Sequence, residues 1–241
     1  MELFTFFKFR FIYVLKNTSK SCIIFSPIRF LSEGIIMTPN ERYIASAIVG
    51  YLAGSVNSGV IASKLVYQDD VRKHGSGNAG ATNMARTFGM DAGALTLAGD
   101  VMKTLVATST GWILERKWGV VISGAACLVG HCYPLFFKFK GGKGVAVGAA
   151  LSLLIDPRVF LSGASAFALG FATTKRVSIG SIMSAIAVPV SAMSLPLSYQ
   201  RKLLSLFAAA VVLYEHRPNV ERILEGKEPE FQFAKESPSA T

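Results

Sequence analysis

Small, polar and basic residues are concentrated in the stretch 72–86, between two apolar segments. Its glycines let a backbone approach a ligand closely, and successive N–H groups in such a stretch can form an anion-binding nest. The guanidinium of Arg86 suits a phosphate group. A flexible loop with solvated charges is the alternative, but the close packing of Ser, Asn, Thr and Arg favours a phosphate-type site. The candidate ligands are Ser76, Gly77, Asn78, Thr82, Asn83 and Arg86.

A second glycine-rich stretch, 139–144, directly precedes an apolar segment. Glycines that lead into a helix N-terminus leave free N–H donors, and the positive end of the helix dipole attracts an anion. Lys143 would add a point charge, whereas Lys138 and Lys140 also fit a basic turn facing anionic lipid. The spacing is not that of a Walker A loop, so an ATPase is poorly supported. The candidate ligands are Gly141, Gly142, Lys143 and Gly144.

A third polar stretch, 216–228, follows the last apolar segment and contains His216, Asn219 and Glu228. A histidine suits a general base or a phosphate ligand, although a single histidine at a membrane edge also serves as an interfacial anchor. Together the three stretches predict a protein that acts on a phosphorylated compound.

Ionisable residues also occur inside the apolar segments, where they are costly and often functional. His131 either contributes to a site or bonds a neighbouring helix. We expect Asp100 and Lys103 to pair with each other or with the polar loops. Ser178 and Ser181 open an apolar segment, where a hydroxyl commonly caps the helix.

The cysteines indicate neither a metal site nor a disulfide framework. Cys22, Cys127 and Cys132 lack the spacing of metal ligands, and the last two lie in an apolar run, where we expect small core residues. The polar stretches contain neither a cysteine nucleophile nor a nucleophile elbow. We therefore expect no metal and no cofactor.

Long apolar segments must position these stretches. The chain of 241 residues is 51% hydrophobic and only 17% charged, against about 25% charged residues in typical soluble domains. A membrane-spanning helix needs about 20 apolar residues. The sequence therefore predicts an all-α, polytopic integral membrane protein with about seven transmembrane helices, some of them short or half-helices. The predicted segments are 43–66, 92–112, 119–137, 144–155, 159–173, 178–196 and 203–214.

The charge pattern predicts which side the polar stretches face. A net charge of +10 would suggest nucleic acid as a partner of a soluble protein. Here it fits the excess of Lys and Arg in cytoplasmic loops, so we expect no nucleic acid. The connections 67–91, 138–143, 174–177 and 215–241 carry most of these basic residues, and they contain the three polar stretches. The stretches are therefore predicted to meet at the cytoplasmic side.

The N-terminal stretch 1–36 mixes basic and apolar residues without a clean apolar run or a signal-peptide cleavage pattern. We interpret it as a basic extension outside the functional core, with Met37 as the start of the protein or of its core. A basic interfacial helix is the alternative. The core is predicted over 37–231 and a disordered tail over 232–241.

In their order and spacing, the polar stretches closely resemble the bacterial acyl-phosphate:glycerol-3-phosphate acyltransferases of the PlsY type. The resemblance covers 43–231 and excludes the N-terminal extension. It is carried by GSGNAGATN at 75–83, GHCYPLFFKFKGGKGVA at 130–146, SIGSI at 178–182 and HRPNVERILEGKE at 216–228.

This resemblance implies transfer of a fatty acyl group from acyl phosphate to the 1-hydroxyl of glycerol 3-phosphate, giving lysophosphatidate and phosphate in the first step of phospholipid synthesis. It implies a seven-helix fold in the bacterial inner membrane, with a cytoplasmic site and membrane lipid around it. The implied catalytic residues are Ser76, Arg86, His216 and Asn219. The implied substrate-binding residues are Gly77, Asn78, Thr82, Asn83, Gly141, Gly142, Lys143, Gly144 and Ser181, while Glu228 would mainly support structure.

The sequence departs from the family pattern at Asn57 and Ser58, where a proline and an aromatic residue are usual, and at Thr104, where glycine is frequent. No histidine begins the His-x-x-x-x-Asp pattern of acyl-CoA-dependent acyltransferases. Two other classes stay open. Short broken helices aimed at an anion also occur in secondary transporters, here for an organic phosphate, but no internal repeat supports this. A non-enzymatic lipid-binding protein is the other, and enzymatic turnover separates both from an acyltransferase.

Overall fold

The computed structural model describes residues 37–232. The extension predicted over 1–36 lies outside the described residues, as does the predicted tail after position 232. Within 37–232 the structure contains helices and no strand, as the sequence predicted. The α-helices are α1 (Pro39–Ser55), α2 (Ser58–Val66), α3 (Ala81–Phe88), α4 (Met90–Cys132), α5 (Val145–Ile155), α6 (Pro157–Thr174), α7 (Val177–Ser194), α8 (Tyr199–Glu215) and α9 (Arg217–Leu224).

The first predicted apolar segment is broken into α1 and α2. Val56 leaves the helical conformation, with φ −69° and ψ 100°. Asn57 then accepts a hydrogen bond from the Val60 N–H at 3.0 Å and so caps the N-terminus of α2. Hydropathy did not predict this break, because the apolar run continues on both sides of it.

The 43-residue helix α4 is a hairpin of two helical halves. Its helical geometry is interrupted at Glu115 (φ −149°) and Arg116 (φ 46°). The chain then folds back so tightly that a Cβ on Gly111 would lie 2.3 Å from the carbonyl oxygen of Gly119. The two halves confirm the two separate apolar segments that the sequence predicted here.

Helices α5 to α8 follow the four remaining predicted apolar segments. The turn between α5 and α6 is short because Asp156 accepts a hydrogen bond from the Arg158 N–H at 2.9 Å, and Pro157 starts α6. Among the described residues, Pro39–Val66, Met90–Phe137 and Val177–Ser194 are long and apolar enough to cross a membrane. The count of seven spans stays a prediction.

Helix packing in this bundle depends on small residues, while large apolar side chains face outward. A Cβ on Gly54 of α1 would lie 2.1 Å from the carbonyl oxygen of Cys127 in the second half of α4. Such close backbone approach is typical of helices packed in lipid. Leu65 and Ile113 are 78% and 80% exposed, whereas several serines and threonines are fully buried. This distribution suits a protein surrounded by hydrocarbon.

The loops that carry the polar stretches meet at one end of the bundle, which the sequence predicted. They are joined directly by hydrogen bonds between loops that are distant in sequence. These are Ala79 N–H to Gly141 O (3.4 Å), Arg72 Nη1 to Phe137 O (2.9 Å), Arg176 Nε to Glu228 O (2.9 Å) and Phe231 N–H to Lys175 O (2.8 Å).

Candidate active site

Asn83 fixes the shape of the glycine-rich loop that precedes α3. Its side chain is buried, at 2% exposure. Its Nδ2 donates to the carbonyl oxygens of Val71, His74 and Asn78, at 3.1, 3.0 and 2.9 Å. Its Oδ1 accepts the N–H of Ser76 at 3.1 Å. The amide is therefore engaged with the loop itself, and a direct contact between Asn83 and a ligand stays a prediction.

Ser76, Thr82 and Arg86, the other predicted ligands of this first stretch, line the cavity described below. Ser76 is exposed at the loop, while Thr82 and Arg86 belong to α3 and are partly buried. The guanidinium carbon of Arg86 lies 5.9 Å from the centre of the Phe231 ring, a cation–π distance that orients the side chain. Gly77 has φ +69°, so it serves the turn of the loop.

The second stretch is attached to the end of α4. The N–H groups of Gly141 and Gly142 donate to the carbonyl oxygens of Cys132 and His131, each at 3.1 Å. A Cβ on Gly141 would lie 2.0 Å from the His131 carbonyl oxygen. Close packing against α4 therefore explains both glycines, and their predicted contact with a ligand stays a prediction.

Beyond these two glycines, the loop leads into α5. Gly144 is the N-cap residue in the left-handed conformation, at φ +80°. The first N–H groups of a helix have no acceptor within the helix, and the helix dipole is positive there. Val145 and Ala146 at this end of α5 line the cavity described below. The site thus includes a helix N-terminus, as the second stretch predicted.

A polar chain joins Lys143 to the corner between α8 and α9. The ammonium Nζ of Lys143 donates to Asn219 Oδ1 at 2.5 Å. Asn219 Nδ2 donates to Glu228 Oε1 at 2.7 Å, and Arg222 Nε donates to Glu228 Oε2 at 2.7 Å. The Asn219 amide is oriented by this chain, because its oxygen must face an ammonium and its nitrogen a carboxylate.

In this polar chain of side chains, the carboxylate of Glu228 is better compensated than the ammonium of Lys143. Burial raises the pKa of Glu228, but the neighbouring Ser178 and the hydrogen bonds from Asn219 and Arg222 outweigh it and hold the pKa below its ordinary value. Burial and the nearby Arg222 lower the pKa of Lys143. Since Arg222 already engages the carboxylate, the charge of Lys143 is available for an anionic ligand.

His216 is held as a neutral base at the end of α8. It is 3% exposed, and its Nδ1 lies 2.7 Å from the carbonyl oxygen of Val212. A carbonyl oxygen only accepts, so Nδ1 carries the proton and Nε2 of the neutral ring keeps its lone pair. Burial lowers the pKa of His216, with Lys143 adding to this effect. Nε2 can therefore accept a proton near neutral pH.

Most of these groups line one cavity of about 460 Å³. Its polar end contains most of the predicted site residues, and its walls continue between α5, α6, α7 and α8 with apolar side chains such as Phe160, Phe167 and Val188. The predicted residues that line it are Ser76, Asn78, Thr82, Asn83, Arg86, Lys143, Gly144, Ser181, His216, Asn219 and Glu228, whereas Gly77, Gly141 and Gly142 do not.

Arg222, Ser178 and Asp100 also line the cavity, although the sequence interpretation gave them no site role, and so does His131, for which a role in the site was left open. Arg222 could have been identified from its place between Asn219 and Glu228 in the third stretch. Within residues 37–232 no group of three or more His, Cys, Asp or Glu side chains is arranged to hold a metal ion.

A family model described as glycerol-3-phosphate acyltransferase matches residues 44–226, well over half of the chain. The chain belongs to this family. The glycerol-3-phosphate acyltransferase of Bacillus subtilis (strain 168) is 36% identical over 186 residues, which are 77% of this chain and 96% of that protein. That of Trichlorobacter lovleyi is 38% identical over 201 residues, covering 81% of this chain and all of the relative.

Solved structures agree with this assignment. The crystal structure of PlsY, an integral membrane glycerol 3-phosphate acyltransferase, in its glycerol 3-phosphate form has a TM-score of 0.74 and 31% identity, covering 79% of this chain and 96% of that one. The lysophosphatidic acid form has a TM-score of 0.72 and 30% identity, with 79% and 95% covered. This glycerol-3-phosphate acyltransferase is therefore an integral membrane enzyme.

Proposed function

We propose that this enzyme transfers a fatty acyl group from acyl phosphate to the 1-hydroxyl of glycerol 3-phosphate, giving lysophosphatidate and inorganic phosphate. The observation that carries the proposal is that one cavity has two kinds of wall. Its polar end contains Arg86, Lys143 and a helix N-terminus, which suit phosphate groups. Its apolar part suits a fatty acyl chain. The crystal structures of a relative in its glycerol 3-phosphate form and its lysophosphatidic acid form support a phosphate-binding end and an apolar part of the cavity.

The donor is proposed from the chemistry of the site. An acyl phosphate is a mixed anhydride, so it is already activated and needs no acyl-enzyme intermediate. The hydroxyl oxygen attacks the acyl carbonyl carbon, the new ester bond forms, and the bond between that carbon and the phosphate oxygen breaks. Arg86 and Lys143 neutralise the two anions that must approach each other, so that catalysis rests on positioning and electrostatics.

The proton of the attacking hydroxyl has two acceptors in this scheme. His216 Nε2 is one, because its lone pair is kept by the Nδ1 hydrogen bond to Val212. The leaving phosphate oxygen is the other. Ser76 and Asn219 orient the reacting groups, Ser181 contributes a hydroxyl to the cavity wall, and Glu228 holds the Asn219 amide.

We also propose that the site faces the cytoplasm of a bacterial cell with this enzyme in its inner membrane. The loops that form the site carry most of the Lys and Arg residues of the core, in line with the usual excess in cytoplasmic loops. Glycerol 3-phosphate and acyl phosphate would then reach the site from the same side.

The test uses purified full-length protein with labelled glycerol 3-phosphate, and offers palmitoyl phosphate and palmitoyl-CoA separately. We expect labelled lysophosphatidate and stoichiometric phosphate with palmitoyl phosphate alone. Product from palmitoyl-CoA alone would refute the proposed donor. If folded protein formed no product from either, but moved glycerol 3-phosphate into proteoliposomes unchanged, the transporter would replace the enzyme.

A further inference from the structure

Three ionisable side chains beneath the phosphate-binding loops form a cluster that the proposed chemistry does not use. Asp100 and Lys103 lie in the first half of α4, and His131 lies near the end of its second half. They are 1%, 7% and 2% exposed. Burying such groups within a membrane protein is costly, and they are retained where they act.

The ammonium of Lys103 forms an ion pair with Asp100 and hydrogen bonds to two further acceptors. Its Nζ lies 2.9 Å from Asp100 Oδ1, 2.9 Å from His131 Nδ1 and 3.0 Å from the carbonyl oxygen of Val56. An ammonium has no lone pair, so His131 Nδ1 must accept and the ring proton lies on Nε2. The cluster is then electrically neutral, with one anion, one cation and one neutral imidazole.

Through His131, this cluster supports the loop of Lys143. The His131 ring fills the space beside Gly142, where a Cβ would lie 2.1 Å from Nε2. The Gly142 N–H donates to the His131 carbonyl oxygen at 3.1 Å. Lys143 is the next residue, so the placement of its ammonium depends on this packing.

Through Val56, the same ammonium supports the other phosphate loop. Val56 marks the break between α1 and α2, which leaves its carbonyl oxygen free to accept from Lys103. At the start of α2, a Cβ on Gly59 would lie 2.1 Å from the carbonyl oxygen of Ala79 in the glycine-rich loop. Ala79 in turn donates to Gly141 O at 3.4 Å. One buried cation thus contacts the supports of both loops.

We propose that Lys103 is a positioning residue for acyl transfer. It holds His131 in the Nε2–H tautomer and fixes the α1–α2 break, and thereby sets the distance between the two loops that bind the phosphate groups. This inference rests on the proposed function. Asp100 Oδ1 lies 2.9 Å from the Lys103 ammonium and 3.5 Å from His131 Nδ1, so its charge compensates that of Lys103 inside the cluster.

The deciding variant is the double change Asp100→Asn with Lys103→Met, which removes both charges together and leaves no unpaired buried ion. Lys117→Met, an exposed lysine beside the turn of α4, is the matched control. We expect the double variant to melt close to wild type, while kcat/KM for glycerol 3-phosphate falls about 100-fold, mostly through KM, because a misplacement of about 1 Å costs that much. Wild-type kinetics in a folded double variant would overturn the inference.

If the double variant does not fold, two single variants of His131 test the positioning role instead. His131→Gln keeps one acceptor and one donor on the side chain, whereas His131→Phe keeps only the ring shape. We expect the Gln variant to retain most of the wild-type affinity for glycerol 3-phosphate and the Phe variant to lose about 100-fold. Equal affinities for these two variants would refute the role of the tautomer.

The two proposals can fail separately. If wild-type protein makes no lysophosphatidate, the proposed function fails, and calorimetric binding of glycerol 3-phosphate then tests the positioning role. An equal Kd for wild type and the double variant would overturn that role. A weaker Kd in the double variant alone would support it without turnover.

Discussion

Replacing Lys143 with methionine removes the charge that we place on the substrate phosphate, and leaves a side chain of similar length. A hydrogen bond to a charged group contributes about 1.5–3 kcal/mol, which corresponds to about 10- to 100-fold in binding. The same change also leaves Asn219 Oδ1 without its donor inside a buried site. We therefore expect KM for glycerol 3-phosphate to rise nearly to the upper end of that range, by about 100-fold. The effect on KM for the acyl donor should be smaller.

Lys140→Met is the control for Lys143→Met, because Lys140 is an exposed lysine three residues earlier in the same loop. Initial rates of lysophosphatidate formation are measured while each substrate is varied in turn, with melting temperatures to verify folding. The reasoning is refuted if Lys143→Met has wild-type kinetics, or if its defect appears only in KM for palmitoyl phosphate. An equal defect in Lys140→Met would show a general loss of surface charge instead.

Three further predictions concern the other ionisable groups of the site. Arg86→Ala should abolish nearly all product formation without a change in melting temperature, and substantial retained turnover would remove Arg86 from the site. The pKa of His216 is lowered below 6.5, so activity that needs its neutral form should persist below pH 6.5 and fall as pH drops through that lowered pKa. A pH profile of kcat/KM shows this limb, and the limb should be missing in His216→Gln. Glu228 has a folded pKa below 4.5, so its stabilising contribution is present above pH 4.5 and disappears as pH falls through the folded pKa. Melting temperatures against pH should therefore converge for wild type and Glu228→Gln at acid pH, and a constant gap would contradict this.

Hydropathy was sufficient to predict the helical bundle. In lipid, the backbone N–H and C=O groups of each apolar segment must form hydrogen bonds within the protein, and a helix satisfies this. Hydropathy did not predict the break between α1 and α2, since Asn57 caps the start of α2 through a single side-chain hydrogen bond inside an apolar run. The turn at Glu115 and Arg116 was predicted as a short polar connection, although the hairpin it forms depends on glycines that face each other across it.

The site was predicted less completely than the fold. Residue types predicted a phosphate-type site in the three polar stretches, but they do not reveal which way an amide or a glycine faces. Asn83 is of a residue type that often binds a substrate, yet its hydrogen bonds go to its own loop. Gly142 suits an anion-binding loop, yet the space it leaves is filled by His131. Such outcomes depend on contacts between residues 5 to 12 positions apart in irregular loops, whose geometry spacing alone does not fix.

The place of the ion pair in α4 has a consequence for biogenesis. Asp100 and Lys103 are three residues apart on one helical turn, and the imidazole that completes the cluster lies on the other half of the same hairpin. The hairpin therefore contains every ionisable side chain of this buried cluster. It can enter the bilayer during synthesis as one unit without exposing an isolated ion to lipid, before the helices that close the cavity have been made.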